Sequence, residues 1–241
     1  DDTLLDELEL PKGSMQLIDD AKLQQINTKF SQMKTHLATG GSAGNAILGL
    51  ACLGAGTGFI GKVGNDHYGD FFRKNLQKNN IEDNLLTSEH LPSGVASAFI
   101  SPDGERTFGT YLGAYLVQDH EMILHAIELA KEAGLQICLD MASYNIVEND
   151  LEFFSLLINK YVDIVFANEE EAKAFTGEEP EEALRVIAKK CSIAIVKVGA
   201  NGSYIRKGTE EIKVSAIPVE KVLDTTGAGD YFAAGFLYGL T

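Results

Sequence analysis

Apolar residues recur at helical spacing in the stretch DDAKLQQINTKFSQM, which predicts the first long helix of the chain. Four side chains carry this repeat: Leu23, Ile26, Phe30 and Met33. Either Asp19 or Asp20 is available as its N-cap. The stretch SAGNAILGLACLG is built from small residues instead, and it predicts a tightly packed helix from about 43 to 53 that closes at Gly54.

The pattern then changes to strand and back to helix. TGFIGKVG is typical of a buried strand, and DHYGDFFRKNLQKNN predicts a helix with one apolar face. That face consists of Tyr68, Phe71, Phe72 and Leu76. In SGVASAFISPDGERTFGTYL, short extended runs lie on either side of Pro102-Asp103-Gly104, a strong turn signal, so this segment predicts a hairpin.

From about residue 119 onward, helical and extended patterns alternate three times. HEMILHAIELAKEAG precedes LQICLDM, ENDLEFFSLLINKY precedes VDIVFAN, and PEEALRVIAKKC precedes SIAIVKVG. Such alternation with apolar strands indicates an α/β fold, in which helices cover both faces of a parallel sheet.

Composition and charge narrow the classes of partner. The 241 residues carry a net charge of −15, which argues against nucleic acid and against anionic membranes, because both attract clustered cations. Small-molecule partners are therefore expected. Cys52, Cys138 and Cys191 are isolated, which indicates a reducing cytoplasm, and no apolar run approaches about 18 residues.

A glycine-rich stretch imitates two nucleotide-binding motifs. Gly56, Gly58 and Gly61 match the G-x-G-x-x-G dinucleotide fingerprint, and Gly56 to Lys62 nearly match a phosphate loop. The fingerprint must follow a strand and open a helix, whereas here the predicted order is reversed. The phosphate loop needs a hydroxyl after its lysine, where this chain has Val63. A tight connection between helix and strand is the better interpretation.

The stretch DTTGAGDYFAAGF carries the strongest candidate chemistry. Gly227, Ala228 and Gly229 directly precede a predicted helix, so their backbone N–H groups can converge on an anion at its positive end. Asp230 is placed to accept a proton from an attacking hydroxyl, and Phe232, Phe236 and Leu240 are expected to anchor the helix. The alternative is a capped turn, with Thr225 or Thr226 as N-cap.

Three further stretches could contribute to a site, and each has a purely structural alternative. In GGSAGN, backbone N–H groups with Ser42 and Asn45 could bind polyol hydroxyls, or the glycines could serve close helix packing. In NEEE, Asn168 and Glu171 follow a strand and suit Mg²⁺, whereas an acidic first helical turn fits Glu169 and Glu170 better.

The third stretch is KVGANGSY. Lys197, Gly199 and Gly202 could line a nucleotide phosphate, or they could form a hairpin turn. Asp140 ends a strand near the same predicted edge without an assigned role. The five histidines lack ligand spacing, and most of them are expected at the surface.

These motifs occur together in one order, and the chain thereby resembles the ribokinase-like (PfkB) family of sugar and nucleoside kinases, in its adenosine-kinase-like branch. GGSAGNAILGLACLGAGTGFIGKVGNDHYG and DTTGAGDYFAAG are similar to the two family signatures. NEEE resembles the N-x-x-E motif, and SPDGERTFGTYLGA resembles the lid segment of that branch. The resemblance implies one kinase domain over 1–241, with a three-layer α/β/α fold, a mostly parallel sheet and a small β lid from segments 9–18 and 93–113.

The resemblance also implies roles for individual residues. Asp230 would be the catalytic base, the amides of residues 227–229 the anion hole, and Arg106 a lid residue that reaches the transferring phosphate. Asn168 and Glu171 would position Mg²⁺ and phosphate, while Lys197, Gly199, Gly202 and Thr225 would border ATP. Gly40, Gly41, Ser42 and Asn45 would hold hydroxyls of the acceptor. Asp224 with the Thr226 carbonyl resembles a monovalent-cation site, which would make the enzyme K⁺-activated.

The sequence departs from the family pattern in three places. The first strand with its substrate-gripping acid and the elements after the catalytic helix are expected to be absent, and about twenty residues are expected to be skipped between Ala114 and Tyr115. An intact mass equal to 26.1 kDa would refute the skip.

The acceptor is the least determined part of the hypothesis. Adenosine or a related nucleoside is the first expectation, and ribose, fructose or a keto-deoxy sugar acid follows. A non-catalytic nucleoside or sugar sensor and a dinucleotide oxidoreductase are the competing classes. Monomer and homodimer both stay open.

Overall fold

The computed structural model describes residues 2–101, 106–115, 120–220 and 225–241. The chain divides into two compact units, one formed by Asp1–Val117 with Ala234–Thr241 and the other by Gln118–Ala233. The first unit contains, in chain order, α1 (Asp2–Glu7), β1 (Met15–Leu17), α2 (Asp20–Lys29), α3 (Ser42–Cys52), β2 (Gly58–Gly64), α4 (His67–Lys78), β3 (Glu82–Ser88), β4 (Val95–Ile100) and β5 (Arg106–Tyr111).

A three-stranded sheet in the order β1-β5-β4 contains the predicted hairpin. β4 and β5 are antiparallel, with Ala98 opposite Phe108, which confirms the hairpin; its turn, Pro102-Asp103-Gly104, lies outside the described residues. β1 pairs in parallel with β5, so both segments expected to form the lid contribute to one sheet. Leu5, Leu8, Leu10 and Ile26 form a small core beside it.

Helix α2 confirms the first predicted helix but is shorter than its apolar repeat. Asp19 caps it by accepting the Lys22 N–H at 2.8 Å, and Phe30 is its C-cap residue. Phe30 packs on Phe99 with ring centroids 5.3 Å apart. The repeat was wrong in extending the helix to Met33, because α2 ends at Lys29, and 58% of Met33 is exposed.

Strand β2 pairs in parallel with β3 in a two-stranded sheet. The predicted strand is present, but most of it is not buried as predicted. Phe59 faces the helices and packs on Phe72 of α4 at 5.3 Å, whereas Ile60 points to the opposite face and is 82% exposed. α3 and α4 pack on the face of β2 that carries Phe59. α3 matches its predicted bounds within one residue and closes at Gly54, whose φ is +92°.

Asp66 ties the start of α4 to the start of the hairpin. It is the N-cap of α4: one carboxylate oxygen accepts the Gly69 N–H at 2.8 Å and the Ser93 hydroxyl at 2.8 Å. The other oxygen accepts the Ser93 N–H at 2.7 Å, and the Ser93 hydroxyl in turn accepts the Gly64 N–H. Burial raises the pKa of Asp66, but the hydrogen bonds from Gly69 and Ser93 outweigh it and the net pKa is lowered.

Replacing Asp66 with Ala is expected to lower the free energy of unfolding by about 2 kcal/mol at pH 7, because it removes a helix cap and leaves the Ser93 N–H unsatisfied. Since the pKa is lower in the folded state, the contribution of the charge is complete above about pH 4 and disappears as the pH falls through the folded value. Urea titrations at pH 7 and at a pH below the folded pKa of Asp66 measure this contribution to the free energy of unfolding. Asp19→Ala, which removes a simple cap, is the control and should cost about 1 kcal/mol. Equal losses of stability in Asp66→Ala and Asp19→Ala would contradict the role of Asp66 in joining α4 to the hairpin.

The second unit contains α5 (His120–Glu132), β6 (Cys138–Asp140), α6 (Tyr144–Asn149), α7 (Leu151–Lys160), β7 (Ile164–Asn168), α8 (Glu169–Thr176), α9 (Pro180–Ala188), β8 (Ile193–Lys197), β9 (Ser203–Lys207), β10 (Glu210–Val214) and the start of α10 (Ala228–Leu240). Its sheet has the order β10-β9-β8-β7-β6. β6, β7 and β8 are parallel, as predicted from the alternating pattern, and β9 and β10 extend the sheet antiparallel.

The central strands β7 and β8 are buried on both faces, which explains their continuous apolar sequence. Val165 and Val196 belong to a cluster with Leu157 of α7 and Leu184 of α9, while Phe166 and Ile195 are buried on the other face. This arrangement holds the carboxyl ends of three parallel strands at one edge.

Helix α10 begins where the small-residue stretch predicted it, but its buried positions differ from the expected ones. Ala233 and Ala234 are buried, Phe232 and Phe236 are half-buried, and Leu240 is 47% exposed. A repeat of four residues drifts by about 40° per step around a helix, so Leu240 points about 80° away from Phe232. The anchoring role predicted for Leu240 was therefore wrong. Within the described part of the chain, no helix is long and apolar enough to cross a membrane.

Candidate functional site

Three polar side chains end the three parallel strands of the second unit. Asp140 is the last residue of β6, Asn168 of β7 and Lys197 of β8. In the ladders Asp140 lies opposite Phe166 and Asn168 lies opposite Lys197, so the three residues share one edge of the sheet. The carboxyl edge of an open α/β sheet is where ligands collect.

Asn168 and Glu171 form a capping box at the start of α8. The Asn168 side-chain oxygen accepts the Glu171 N–H, and the Glu171 carboxylate accepts both the Asn168 N–H and its side-chain amide, all at 2.8 Å. The capping alternative thus has full geometric support, while Glu169 and Glu170 are exposed as predicted. Capping alone does not explain why Glu171 is only 4% exposed, since a cap functions equally well at the surface.

Burial raises the pKa of Glu171, and the charges of Asp140 and Glu170 add to this effect. The Asn168 hydrogen bond and the positive charge of Lys197 lower the pKa and offset part of the shift. A buried carboxylate with a raised pKa is stabilised by any cation that binds beside it. Glu171 is therefore suited to a divalent cation.

Lys197 lies between a carboxylate and the start of α10. Its Nζ is 3.2 Å from a carboxylate oxygen of Asp140. A methyl group built on Gly229 would come within 3.1 Å of the same Nζ, so the ammonium lies directly beside the first turn of that helix. Asp140 had no role in the sequence analysis. Its position after the apolar run LQICL was the available signal, and only the strand order shows that it faces Lys197.

The first turn of α10 has the geometry expected of an anion-binding helix start. The first hydrogen bond of the helix runs from the Tyr231 N–H to the Gly227 carbonyl, so the N–H groups of residues 228–230 precede the helical ladder. Gly227 has a φ of +74°, a conformation that favours glycine. The Ala228 N–H donates to the Thr225 carbonyl at 3.1 Å and also closes the turn. Asp230 is half-buried in this first turn.

The GGSAGN stretch lies in the first unit, at the start of α3. Gly41 is the N-cap with a φ of +88°, and no side-chain cap hydrogen bond is present. Methyl groups built on Gly40 or Gly41 would meet nothing within 4 Å, so close packing does not explain these two glycines. At Gly44 the methyl group would lie 3.5 Å from Phe72, an ordinary van der Waals contact, so packing does not require glycine there either. Ser42 is exposed and Asn45 is half-buried.

Lys197, Gly199 and Gly202 occupy a hairpin, which is one of the two interpretations that their sequence allowed. Gly199–Asn201 form a short 3-10 turn, and β8 and β9 pair antiparallel on either side. Arg106 opens β5 in the first unit, opposite Ile100. Thr225 and Thr226 are exposed, and Asp224 lies outside the described residues, so the cation site expected there stays a prediction.

Among the described residues, no group of three or more His, Cys, Asp and Glu side chains could hold a metal ion. All five histidines are exposed, as predicted, and the three cysteines are free.

Polar strand ends beside a glycine-rich helix start are typical of α/β enzymes that bind phosphate groups, and comparison with known proteins identifies the family. Residues 13–143 and 121–241 match the pfkB family carbohydrate kinases. Mouse ribokinase is 27% identical over 234 residues, covering 83% of this chain and 71% of that protein. An uncharacterized sugar kinase of Archaeoglobus fulgidus is 29% identical over 216 residues, covering 80% and 86%.

Solved structures agree with this assignment. The adenosine kinase from Sinorhizobium meliloti superposes with a TM-score of 0.86 at 32% identity, covering 100% of this chain and 82% of that one. A probable sugar kinase from Rhizobium etli gives 0.87 at 33%, covering 100% and 81%. The chain belongs to the pfkB family of carbohydrate kinases and has the ribokinase-like α/β fold. It is a kinase, so the competing interpretation as a dinucleotide oxidoreductase no longer applies. As expected, Gly56, Gly58 and Gly61 lie where helix α3 leads into strand β2, which is the reverse of the dinucleotide-binding order.

Proposed function

We propose that this kinase transfers the γ-phosphoryl group of ATP to a primary hydroxyl of a nucleoside or furanose sugar, with Asp230 as the base. The observation that carries the proposal is the start of α10, where Gly227–Gly229, Asp230 and the Lys197 ammonium meet within one unit. The start of α10 thus combines positive charge, from its amides and Lys197, with the Asp230 carboxylate. This combination suits a reaction in which phosphate charge is neutralised while a proton is removed.

The reaction follows from these positions. The acceptor oxygen forms a bond to the γ-phosphorus as the bond to the β,γ-bridging oxygen breaks, and ADP departs with that electron pair. The hydroxyl proton passes to Asp230. The amides of Gly227 and Gly229, with the Ala228 amide shared with Thr225, stabilise the charge spread over the equatorial oxygens. Lys197 adds a full positive charge on the same side.

Glu171 and Asn168 are the residues that would hold Mg²⁺, directly or through its waters. When bound, the ion neutralises phosphate charge and orients the phosphates. Gly199, Gly202 and Thr225 are assigned to the border of the nucleotide. Asp224 and the Thr226 carbonyl are assigned to K⁺, so activity measured with K⁺ in place of a large organic cation tests that site.

The acceptor side is assigned to the first unit. Gly40 and Gly41 offer backbone amides, and Ser42 and Asn45 offer a hydroxyl and an amide, which together match a polyol with several hydroxyl groups. Open space around both glycines supports this assignment over a packing role. Arg106 is assigned to the transferring phosphate. Retained activity on replacement of Arg106 by Gln would remove it from that role.

Two acceptor classes have separate support. Adenosine is favoured by SPDGERTFGTYLGA and by the adenosine kinases among the solved structures. A sugar or sugar acid is favoured by relatives named ribokinase and 5-dehydro-2-deoxygluconokinase. A thermal-shift screen over nucleosides, ribose, fructose and keto-deoxy sugar acids, followed by ATP-consumption assays, separates the two, because ligand stabilisation follows affinity. Stabilisation without ATP consumption would indicate a sensor.

Replacing Glu171 with Gln is expected to raise the Mg²⁺ concentration for half-maximal activity by about tenfold. The stability should change by less than about 1 kcal/mol, because relief of a buried charge offsets one lost hydrogen bond. Mg²⁺ titrations and urea unfolding measure the two effects. The matched control is Glu170→Gln, the exposed neighbour on the same turn, which should leave the Mg²⁺ requirement unchanged. Equal Mg²⁺ requirements in all three proteins would remove Glu171 from the metal site.

A further inference from the structure

The position of the Lys197 ammonium is electrostatically unusual. Its Nζ lies beside Gly229 in the first turn of α10, and the start of a helix carries partial positive charge. A cation there is repelled by the helix, so another group must hold it in place. The long, flexible lysine side chain could otherwise turn away from the helix.

Asp140 supplies the opposing charge. Its Oδ2 is 3.2 Å from Lys197 Nζ, and the pair is largely withdrawn from water, with side-chain exposures of 16% for Lys197 and 28% for Asp140. The other carboxylate oxygen of Asp140 accepts the Ala142 N–H at 2.9 Å. Ala142 has a φ of +61°, so the loop after β6 adopts a strained turn that this hydrogen bond supports. The carboxylate is thus fixed in orientation before it meets the lysine.

Glu171 is a second anion that acts on Lys197. The positive charge of Lys197 lowers the pKa of the buried Glu171 carboxylate and the charge of Asp140 raises it, so all three charges interact. If Asp140 lost its charge, the ion pair that opposes the repulsion of the ammonium by the start of α10 would be lost.

We propose that Asp140 is a positioning residue that holds the Lys197 ammonium at the start of α10, ready for the phosphates of the incoming nucleotide. This inference rests on the proposed function, since it assumes that the helix start receives a triphosphate. Phosphate oxygens then take over as the main counterion of Lys197. Asp140 is assigned no contact with the nucleotide and acts through the lysine alone.

A four-protein cycle tests the proposal: wild type, Asp140→Asn, Lys197→Gln and the double variant. Affinity for Mg·ATP is measured by calorimetry without an acceptor, and kcat and KM are measured where turnover exists. Asp140→Asn is expected to weaken ATP binding by about tenfold in the wild-type background and by less than about twofold in the Lys197→Gln background. Asp140→Glu, which keeps the carboxylate, should recover most of the affinity.

The control is Asp163→Asn, which breaks another aspartate–lysine pair of the same unit, 2.7 Å from Lys131. It is expected to lower the melting temperature and leave ATP affinity unchanged. A purely structural role for Asp140 predicts the same behaviour for Asp140→Asn, and that result overturns the proposal. The proposal is also overturned if the losses of ATP affinity in Asp140→Asn and Lys197→Gln simply add in the double variant.

The two proposals fail in distinguishable ways. A wild-type chain that binds no Mg·ATP overturns both. A wild-type chain that binds Mg·ATP but phosphorylates none of the tested acceptors counts against the proposed function, and the binding cycle still decides the role of Asp140. Normal turnover of the wild-type chain together with additive losses of ATP affinity in the cycle leaves the kinase proposal intact and shows that Asp140 does not position Lys197.

Discussion

Replacement of Asp230 by Asn is expected to lower kcat by about 10³-fold while the affinity for ATP changes little. The amide has nearly the same size as the carboxylate and can occupy the first turn of α10, so the helix start and its amides should persist. It cannot accept the proton of the acceptor hydroxyl. Steady-state kinetics with saturating acceptor, together with calorimetric ATP binding, separates loss of chemistry from loss of binding.

The control for this variant is Asp70→Asn. Asp70 is likewise an acidic residue in the first turn of a helix, α4, so its replacement removes the same kind of favourable interaction with the helix dipole. Both variants should lose about 0.5 kcal/mol of stability from this interaction, and only Asp230→Asn should lose turnover. Activity within tenfold of wild type in Asp230→Asn would remove it as the base.

Local signals in the sequence predicted much of the fold, because they act over a few residues. Asp19 caps α2, Gly54 closes α3, and the alternating runs after residue 119 give the helices and parallel strands that they predict. Caps and periodicity depend on neighbours along the chain, so they are visible without knowing which strands pair.

Burial and pairing were less predictable, because they depend on neighbours that are distant in sequence. The apolar composition of β2 suggested a covered strand, yet Ile60 is exposed because it lies on the face of β2 opposite to α3 and α4. The candidate site shows the same limit. Asp140 and Lys197 are 57 positions apart, and only the order β8-β7-β6 brings them to one edge.

The sequence allowed a structural and a functional interpretation for several site residues, and the structure bears on the structural one. Asn168 and Glu171 form a complete capping box and also bury a carboxylate beside Lys197. Gly41 has a backbone reason for being glycine, its positive φ, whereas Gly40 has neither a positive φ nor a packing contact within 4 Å. Gly202 is the opposite case, because its backbone environment alone requires glycine.

Replacement of Gly202 by Ala is expected to lower the free energy of unfolding by about 3 kcal/mol or more. Gly202 has a φ of +95°, and a methyl group built on it would lie 1.9 Å from the Val214 carbonyl oxygen and 2.8 Å from the Ala216 nitrogen. Both atoms belong to the backbone, so neither can move aside as a side chain would. The end of β10 must therefore shift away from the hairpin, which breaks contacts along that edge of the sheet.

The matched control is Gly208→Ala in the turn between β9 and β10. Gly208 also has a positive φ, +60°, but a methyl group there would meet nothing within 4 Å. It should cost only the conformational strain, about 1 kcal/mol. Thermal unfolding should then show a decrease in Tm of about 10 °C for Gly202→Ala and about 3 °C for Gly208→Ala. Equal decreases would mean that strain at positive φ, and not the approach of the Val214 backbone, is what requires glycine at 202.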